Sequence, residues 1–235
     1  MRSRRARKEE SAKPVDFRIP TWVGLATVCR AYHGGRYRDV FYEGAAYILR
    51  QSSVQTAPHD IRAEAVAVGV VVENWNKRYY IGSHPDYERL EEVLSAHRQT
   101  LTTLTLRSIA GYNAQVDGTE VESLYRDLML PLSVRRQGRK TRAHVSTAKA
   151  LHVLAPSFFP PWDQNIADAW GCYWHDPKSS PSLYVRFMGK VRQVLQSIAP
   201  WNELEAGLKA LPSHMGGVLK LLDEWNYTKF SEPSR

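Results

Sequence analysis

The feature that most restricts the fold of this 235-residue chain is a series of helix-length apolar patterns with almost no two-residue alternation. The valines at 66–72 resemble a buried strand, but their pattern continues through Trp75 without turn residues, which favours a helix. The expected helices cover residues 41–54, 61–79, 87–109, 120–130, 144–155, 163–173, 182–198 and 213–225. β-Hairpin signals are absent from this pattern. The sequence therefore predicts an all-α protein.

A basic segment follows the expected helix 120–130. No acidic residue occurs from Leu128 to Trp162. A cationic run of this kind is typical of a surface that holds phosphate groups. The residues that we expect to contact the DNA backbone are Arg135, Arg136, Gly138, Arg139, Lys140 and Arg142.

The acid-free run ends at a single carboxylate, Asp163, in the sequence Pro160-Pro161-Trp162-Asp163-Gln164-Asn165. Its position before an apolar run allows two interpretations. Asp163 caps the next helix, as aspartate often does, or it provides chemistry at the centre of a site for a polyanion. The sequence leaves both open.

The expected helix at 144–155 is apolar around nearly its whole circumference, which predicts a central position in the fold. Lys149 and His152 lie on one side of it, about 60° apart at a rotation of about 100° per residue. A lysine and a histidine on a buried helix cost desolvation unless they face a cleft or a partner. Each residue also has a simple structural explanation: Lys149 can reach the surface, and His152 can be a hydrogen-bonded core residue.

Charge and cysteine content restrict the partners and the compartment. The chain has 32 basic and 24 acidic residues, a net charge of +8, which favours nucleic acid as a partner before an anionic membrane surface. Two cysteines, Cys29 and Cys172, form no CxxC pair, so we expect a reducing, cytoplasmic compartment. No apolar run approaches the length of a membrane span, and no apolar segment follows the basic residues 1–8, so we expect neither a span nor a secretory signal. We expect residues 1–16 to form a basic flexible tail and residues 17–235 a single helical domain.

Residues 138–171 resemble the core of the helix-hairpin-helix DNA glycosylase superfamily. Gly138 stands where that family has a glycine-bearing hairpin over the DNA backbone, and Pro161-Trp162-Asp163-Gln164-Asn165-Ile166 resembles its Pro-Val-Asp-x-x-Val motif. Trp170-Gly171 matches the Leu-Gly that closes the following helix. The resemblance implies two helical lobes around a cleft, a helix-hairpin-helix core at about 130–175, and Asp163 as the catalytic carboxylate.

The chain departs from the family pattern in two ways. First, it keeps only Gly138 of the usual Gly-x-Gly. Second, the interval from Lys149 to Asp163 is shorter than the family's interval between the catalytic lysine and the catalytic aspartate, and the interval from Lys140 to Asp163 is longer. The resemblance is therefore to a divergent branch. Two cysteines cannot supply the four thiolates of an iron–sulfur cluster, so the cluster-bearing branches are excluded. We expect no cofactor and no metal, because the histidines have no trustworthy ligand spacing.

The chemistry of base excision suits these residue types. A carboxylate below the deoxyribose stabilises the oxocarbenium-like transition state, and a lysine of depressed pKa can instead attack C1′. We expect hydrolysis by water, with Lys149 as the candidate for the alternative. The flipped base would stack in a pocket for which the sequence offers Trp162, Phe159 and His152.

The sequence therefore predicts a monomeric DNA glycosylase that acts on double-stranded DNA and leaves an abasic site. The divergence of the motif favours an unusual base, and glucosylated hydroxymethylcytosine in phage DNA is the preferred candidate. A repair glycosylase for damaged bases remains an alternative, and so does a non-enzymatic DNA-binding protein in which Asp163 only caps a helix. A helical interaction module with incidental charge is the third alternative.

Overall fold

The computed structural model describes residues 19–34, 39–54, 60–136, 139–211 and 216–231. The chain is mostly helical, as the sequence predicts. The helices are α1 (Trp22–Gly34), α2 (Val40–Val54), α3 (Ile61–Trp75), α4 (Lys77–Tyr80), α5 (Tyr87–Ala96), α6 (Arg98–Thr105), α7 (Ala114–Leu132), α8 (His144–Leu154), α9 (Gln164–Ala169), α10 (Ser180–Ile198), α11 (Trp201–Lys209) and α12 (Gly217–Asn226). Short 3-10 helices lie at Ile109–Gly111 and Pro177–Ser179, and a π-helix, Tyr227–Ser231, follows α12.

The expected absence of β-structure is wrong at one place. Strands β1 (Val134–Arg136) and β2 (Arg139–Thr141) form an antiparallel hairpin in which Val134 pairs with Thr141. The Tyr79 hydroxyl donates a hydrogen bond of 2.7 Å to the Thr141 carbonyl, and the Thr141 hydroxyl donates one of 3.0 Å to the Val134 carbonyl. These bonds fix the hairpin on α4. Residues 134–136 and 139–141 of the basic segment therefore form two paired strands.

Helices α3 and α8 occupy the centre of the fold. Helix α3 packs against α2, α5 and α8, and α8 also packs against α7. Most of α8 is buried, as its apolar circumference predicts. The close approach of α3 to α5 depends on Gly69, because a β-carbon there would collide with the Tyr87 ring, whose hydroxyl donates a 2.8 Å hydrogen bond to Glu73.

Several helix boundaries differ from the sequence expectation. The pattern at 61–79 breaks at Asn76, and that at 87–109 breaks at His97. Helix α7 runs through Pro131, which lies in its last turn, where the Ser133 hydroxyl bonds the Met129 carbonyl. Helix α9 stops early, before Gly171 adopts φ +63°.

Helices α1 and α11 were not predicted, although each contributes buried leucines to the main core. The predicted tail at 1–16 lies outside the described residues. In the described ranges, no helix combines the length and the apolar composition that crossing a bilayer requires.

Candidate functional site

A cleft of about 500 Å³ lies where several distant parts of the chain meet. Its walls come from the end of α1, the end of α3, the outward side of α8, the start of α9, and α12 with the π-helix. The lining residues are Tyr32, Asp39, Trp75, Asn76, Val145, Lys149, Trp162, Asp163, Gln164, Asn165, Lys220, Asp223, Glu224 and Tyr227.

Asp163 both caps α9 and lines the cleft, so the two interpretations of the sequence are compatible. Its Oδ1 accepts a 2.8 Å hydrogen bond from the Ile166 amide, and its Oδ2 accepts one of 2.7 Å from the Ser231 hydroxyl. The first bond is a normal N-cap bond. The second ties the carboxylate to the end of the π-helix. Asp163 is therefore held in one orientation at the mouth of the cleft.

Lys149 faces the same cleft from α8. Its ammonium group donates hydrogen bonds to the Trp75 carbonyl (3.2 Å) and to Asn76 Oδ1 (3.0 Å), and it lies 5.5 Å from the centre of the Trp75 ring. Burial lowers the pKa of Lys149 to about 8; Lys220 acts in the same direction, and the carboxylates of Asp223 and Asp163 oppose it. Lys149 and Asp163, which the sequence paired as candidates, therefore do lie in one site.

The cleft contains a second lysine that sequence reasoning did not identify. Lys220 is only 6% exposed, and its Nζ lies 4.9 Å from the centre of the Trp75 ring. The Tyr32 and Tyr42 ring centres lie 5.7 Å and 5.9 Å from the same atom. Lys220 also pairs with Asp223 at 3.2 Å. This aromatic and anionic environment raises the pKa of Lys220 above its usual value despite burial, so the group stays charged.

Carboxyl groups outnumber ammonium groups in the cleft. The lining residues include four carboxylic acids and two lysines, which is a formal excess of two negative charges if all are ionised. The whole chain, in contrast, has a net charge of +8. The acids are Asp39, Asp163, Asp223 and Glu224. The lining of the cleft is therefore richer in acidic than in basic residues, whereas the chain as a whole is basic.

Only one of the three residues proposed as a base pocket borders the cleft. Trp162 lines it but is fully buried, packed against Trp174, Tyr184 and Phe187, so it supports the wall and exposes no ring face. Phe159 is also fully buried and does not line the cleft.

His152 is a hydrogen-bonded core residue, which was the structural explanation that the sequence left open. Its Nδ1 lies 2.8 Å from the Phe159 carbonyl, so this nitrogen is the donor, and Nε2 accepts a 3.0 Å bond from the Tyr42 hydroxyl. Burial lowers the pKa of His152 to about 3, which keeps the ring neutral. His152 reaches the cleft only through Tyr42, whose ring lies under Lys220.

The predicted DNA-binding residues are divided between the hairpin and a neighbouring recess. Arg135 is exposed on β1, and the backbones of Arg136, Arg139 and Lys140 complete the paired strands. Gly138 lies outside the described residues. Arg142 lines a recess of about 680 Å³ together with Arg126 and Lys178.

The recess and the cleft both include residues at or just before the start of α8. Arg142 precedes the cleft residue Val145 by only three positions, which places the two α-carbons within about 11 Å. The sequence offered no separate signal for Arg126, nine residues before Arg135, or for Lys178, 36 residues after Arg142.

The acidic wall on α12 did have a sequence signal. Lys220 stands alone in the apolar run 217–222, and Asp223 and Glu224 follow at the i+3 and i+4 positions that share a helix face. Asp223 and Glu224, at the end of this apolar helix, line one wall of the cleft. No sequence pattern indicated that Trp75, Tyr32 or Asp39 would line the same cleft.

The described residues contain no group of three or more histidine, cysteine, aspartate or glutamate side chains arranged to hold a metal ion. Comparison with protein-family models, with curated proteins and with solved structures finds no match to this chain.

Proposed function

We propose that this protein is a DNA glycosylase that flips a modified base out of the duplex and hydrolyses its N-glycosidic bond. One observation carries the proposal: a cleft lined by an excess of carboxyl groups, with Asp163 fixed at its mouth, opens beside the most cationic segment of a basic protein.

The charge distribution suits a nucleotide that enters base first. Phosphate groups are repelled by an acidic cleft but attracted to a cationic surface. The hairpin and the recess beside it offer Arg135, Arg142, Arg126 and Lys178 to the DNA backbone. We propose that these residues hold the duplex while the extruded nucleoside occupies the cleft, as base-flipping enzymes require.

The same negative field favours the chemical step. Cleavage of the bond between C1′ and the base builds positive charge on the deoxyribose, and preorganised carboxylates stabilise that charge. Asp163 needs no reorganisation to do so, because the Ile166 amide and the Ser231 hydroxyl already fix both of its oxygens. We propose that Asp163 faces C1′ and orients the attacking water.

Lys149 has a supporting role in this proposal. Its two acceptors, the Trp75 carbonyl and Asn76 Oδ1, suit an ammonium ion, and its pKa of about 8 leaves most molecules protonated at pH 7. A protonated lysine cannot attack C1′. We therefore propose a hydrolytic enzyme that leaves the abasic strand intact.

The base itself would contact Trp75 and Tyr32, which are the large aromatic residues of the inner cleft. Aromatic rings hold flipped bases by stacking. We propose an unusual base, with glucosylated hydroxymethylcytosine of phage DNA as the first candidate and damaged bases as the second. The two-lobed, helix-hairpin-helix arrangement of such enzymes is part of the same proposal, with α12 and α1 on one side of the cleft and α3 and α8 on the other.

The proposal is tested by incubating the protein with a panel of duplexes and probing for abasic sites. The panel contains unmodified DNA, phage DNA with glucosylated cytosines, and DNA with oxidised, alkylated, deaminated or mismatched bases. We expect abasic sites in at least one modified duplex and none in unmodified DNA. If no duplex of the panel acquires abasic sites, the protein lacks the proposed glycosylase activity.

A second candidate function is DNA binding without catalysis. The observation in its favour is that both oxygens of Asp163 already accept hydrogen bonds within the protein, as in a purely structural cap. In that case the protein would bind DNA with a steep salt dependence and form no abasic site on any duplex.

A further inference from the structure

A second carboxyl group in the cleft, Asp223, has surroundings that differ from those of Asp163. Asp163 accepts two short hydrogen bonds from uncharged donors at a helix start. Asp223 lies on α12, its side chain is 17% exposed, and its Oδ2 accepts a 3.2 Å hydrogen bond from the Lys220 ammonium group. The two acids therefore line one cleft from different elements, and Asp163 accepts a hydrogen bond from a backbone amide, whereas Asp223 accepts one from an ammonium group.

Asp223 is held rigidly because its partner is held rigidly. Lys220 lies among the rings of Tyr32, Tyr42 and Trp75. The Trp75 indole donates a 2.8 Å hydrogen bond to Asp39 and stacks on Tyr42 with the ring planes 12° apart.

Tyr42 is fixed in turn by its hydrogen bond to the buried His152. The rings of Trp75 and Tyr42, which flank the ammonium group of Lys220, are thus each hydrogen-bonded to another part of the fold. This leaves Asp223 Oδ2 tied to Lys220 and the carboxyl group directed at the cleft it lines.

The charged groups around Asp223 come from several elements. They are Lys220 and Glu224 on α12, Lys149 on α8, Asp163 before α9, Asp39 before α2, and the hydroxyl of Tyr32 on α1. Burial raises the pKa of Asp223 above its usual value, and repulsion from Asp163 adds to this, while Lys220 and Lys149 oppose it. Two acids in one cleft whose environments differ in this way are the arrangement that lets one stay charged while the other carries a proton.

We propose that Asp223 is the general acid of the reaction and protonates the departing base, whereas Asp163 stabilises the sugar. This inference rests on the proposed glycosylase function and adds a second catalytic residue to it. As the bond from C1′ to the base nitrogen breaks, its electron pair moves to the base, and the proton of Asp223 transfers to an acceptor atom on the base. Water adds to C1′ and releases one proton, and Asp223 takes up one proton from solvent, so the products are the free base and the abasic sugar.

The test compares single-turnover excision by the parent protein and by Asp223→Asn from pH 5 to pH 9, on the modified duplex that the parent cleaves. General acid catalysis is worth about 10²–10⁴-fold, so we expect Asp223→Asn to be at least about 100-fold slower at pH 7. The parent should lose activity as the pH rises through the pKa of Asp223, and the variant should not show that decline.

The matched control is Glu224→Gln, which removes the neighbouring acid of the same helix, 3.9 Å from Lys220. If the loss in Asp223→Asn came only from a disturbed Lys220, both variants would lose activity alike, and both would keep the pH profile of the parent. That result would overturn the proposal.

A leaving-group series gives an independent readout. Bases that carry electron-withdrawing substituents depart without protonation, so Asp223→Asn should recover part of its lost rate on them, whereas an equal loss on every base would contradict the proposal. If thermal unfolding shows that Asp223→Asn does not fold, the excision rate of the parent is compared in H2O and in D2O instead. Proton transfer in the transition state predicts slower excision in D2O, and equal rates in D2O and H2O would overturn the role of Asp223.

Failure of this inference differs from failure of the proposed function. If the parent excises the base and Asp223→Asn does so at the same rate, Asp223 is not the general acid, but the proposed glycosylase function stands. If the parent excises no base from any modified duplex, both the role of Asp223 and the proposed glycosylase function are wrong.

Discussion

The role of Lys149 distinguishes two mechanisms of base excision, hydrolysis by water and attack of the lysine on C1′. Its ammonium group has two oxygen acceptors and a pKa of about 8, so at pH 7 about a tenth of the molecules carry the neutral amine. We expect no protein–DNA adduct after treatment with borohydride at pH 7, and an intact abasic strand as the product.

The competing outcome is equally easy to observe. An adduct that forms efficiently with the parent and disappears in Lys149→Gln would make Lys149 the nucleophile and the enzyme a strand-cleaving lyase. Lys220→Gln is the matched control, because Lys220 lies in the same cleft but is held charged by its aromatic and acidic neighbours.

His152 makes stability depend on pH. The folded protein keeps this ring neutral down to a pKa of about 3, whereas the unfolded chain takes up a proton below about pH 6.5. The unfolded state therefore binds more protons between these values, and the free energy of unfolding falls as the pH is lowered. From pH 6.5 to pH 5 the contribution of His152 is at most about 2 kcal/mol.

Urea unfolding of the parent and of His152→Gln at pH 7 and pH 5 tests this effect. We expect the variant to be less stable at pH 7, because Tyr42 and Phe159 lose a hydrogen-bond partner, but to lose less stability on acidification than the parent. Val153→Ala, a neighbouring buried substitution with no titratable group, should keep the pH dependence of the parent. An unchanged pH dependence in His152→Gln would show that the ring takes up a proton as readily in the folded protein as in the unfolded chain, and would contradict the lowered pKa.

The hairpin of β1 and β2 is the element with the clearest predicted role. Arg139→Ala with Lys140→Ala removes two positive charges from β2. We expect this double variant to bind all DNA sequences more weakly, and the slope of log K against log salt to decrease by the equivalent of one to two phosphate contacts, about 0.9 each. The measurement is fluorescence anisotropy across a salt series.

A charge-matched control separates the hairpin from net charge. Arg89→Ala with Lys209→Ala also removes two exposed cations, but neither residue lines the cleft or the recess. We expect it to leave the salt slope close to that of the parent. If the two double variants behave alike, the hairpin does not contact DNA.

The elements that sequence patterns predict best are those whose pattern is repeated over several turns. The valines at 66–72 are helical, as the continuation through Trp75 indicates, and α8 is buried except at Val145 and Lys149, which line the cleft. The hairpin was missed because arginines and lysines occupy strand positions where apolar and polar residues would normally alternate. Its pairing depends instead on contacts with Tyr79, which lies more than 50 residues away.

At the scale of the whole molecule, the cleft could be predicted only in part. Asp163 and Lys149 lie close enough in sequence to be read as one segment, and both do line it. Trp75, Tyr32 and Lys220 come from segments that are far apart in the chain, and their meeting depends on packing of α3, α1 and α12 that no local pattern encodes. Phe159 was proposed for the pocket because it is near Asp163 in sequence, and His152 because it shares one side of a helix with Lys149, but both side chains are buried in the core.

The most direct test of the central claim is base release by the parent and by Asp163→Asn on the same modified duplex. Free base is quantified by mass spectrometry under single-turnover conditions, and DNA binding is measured in parallel. We predict unchanged DNA affinity and a rate of base release at least about 100-fold lower in the variant, because a preorganised transition-state stabiliser is lost. Ser231→Ala, which removes one of the two donors to Asp163, should give a smaller loss. Base release by Asp163→Asn within a few-fold of the parent would contradict the account.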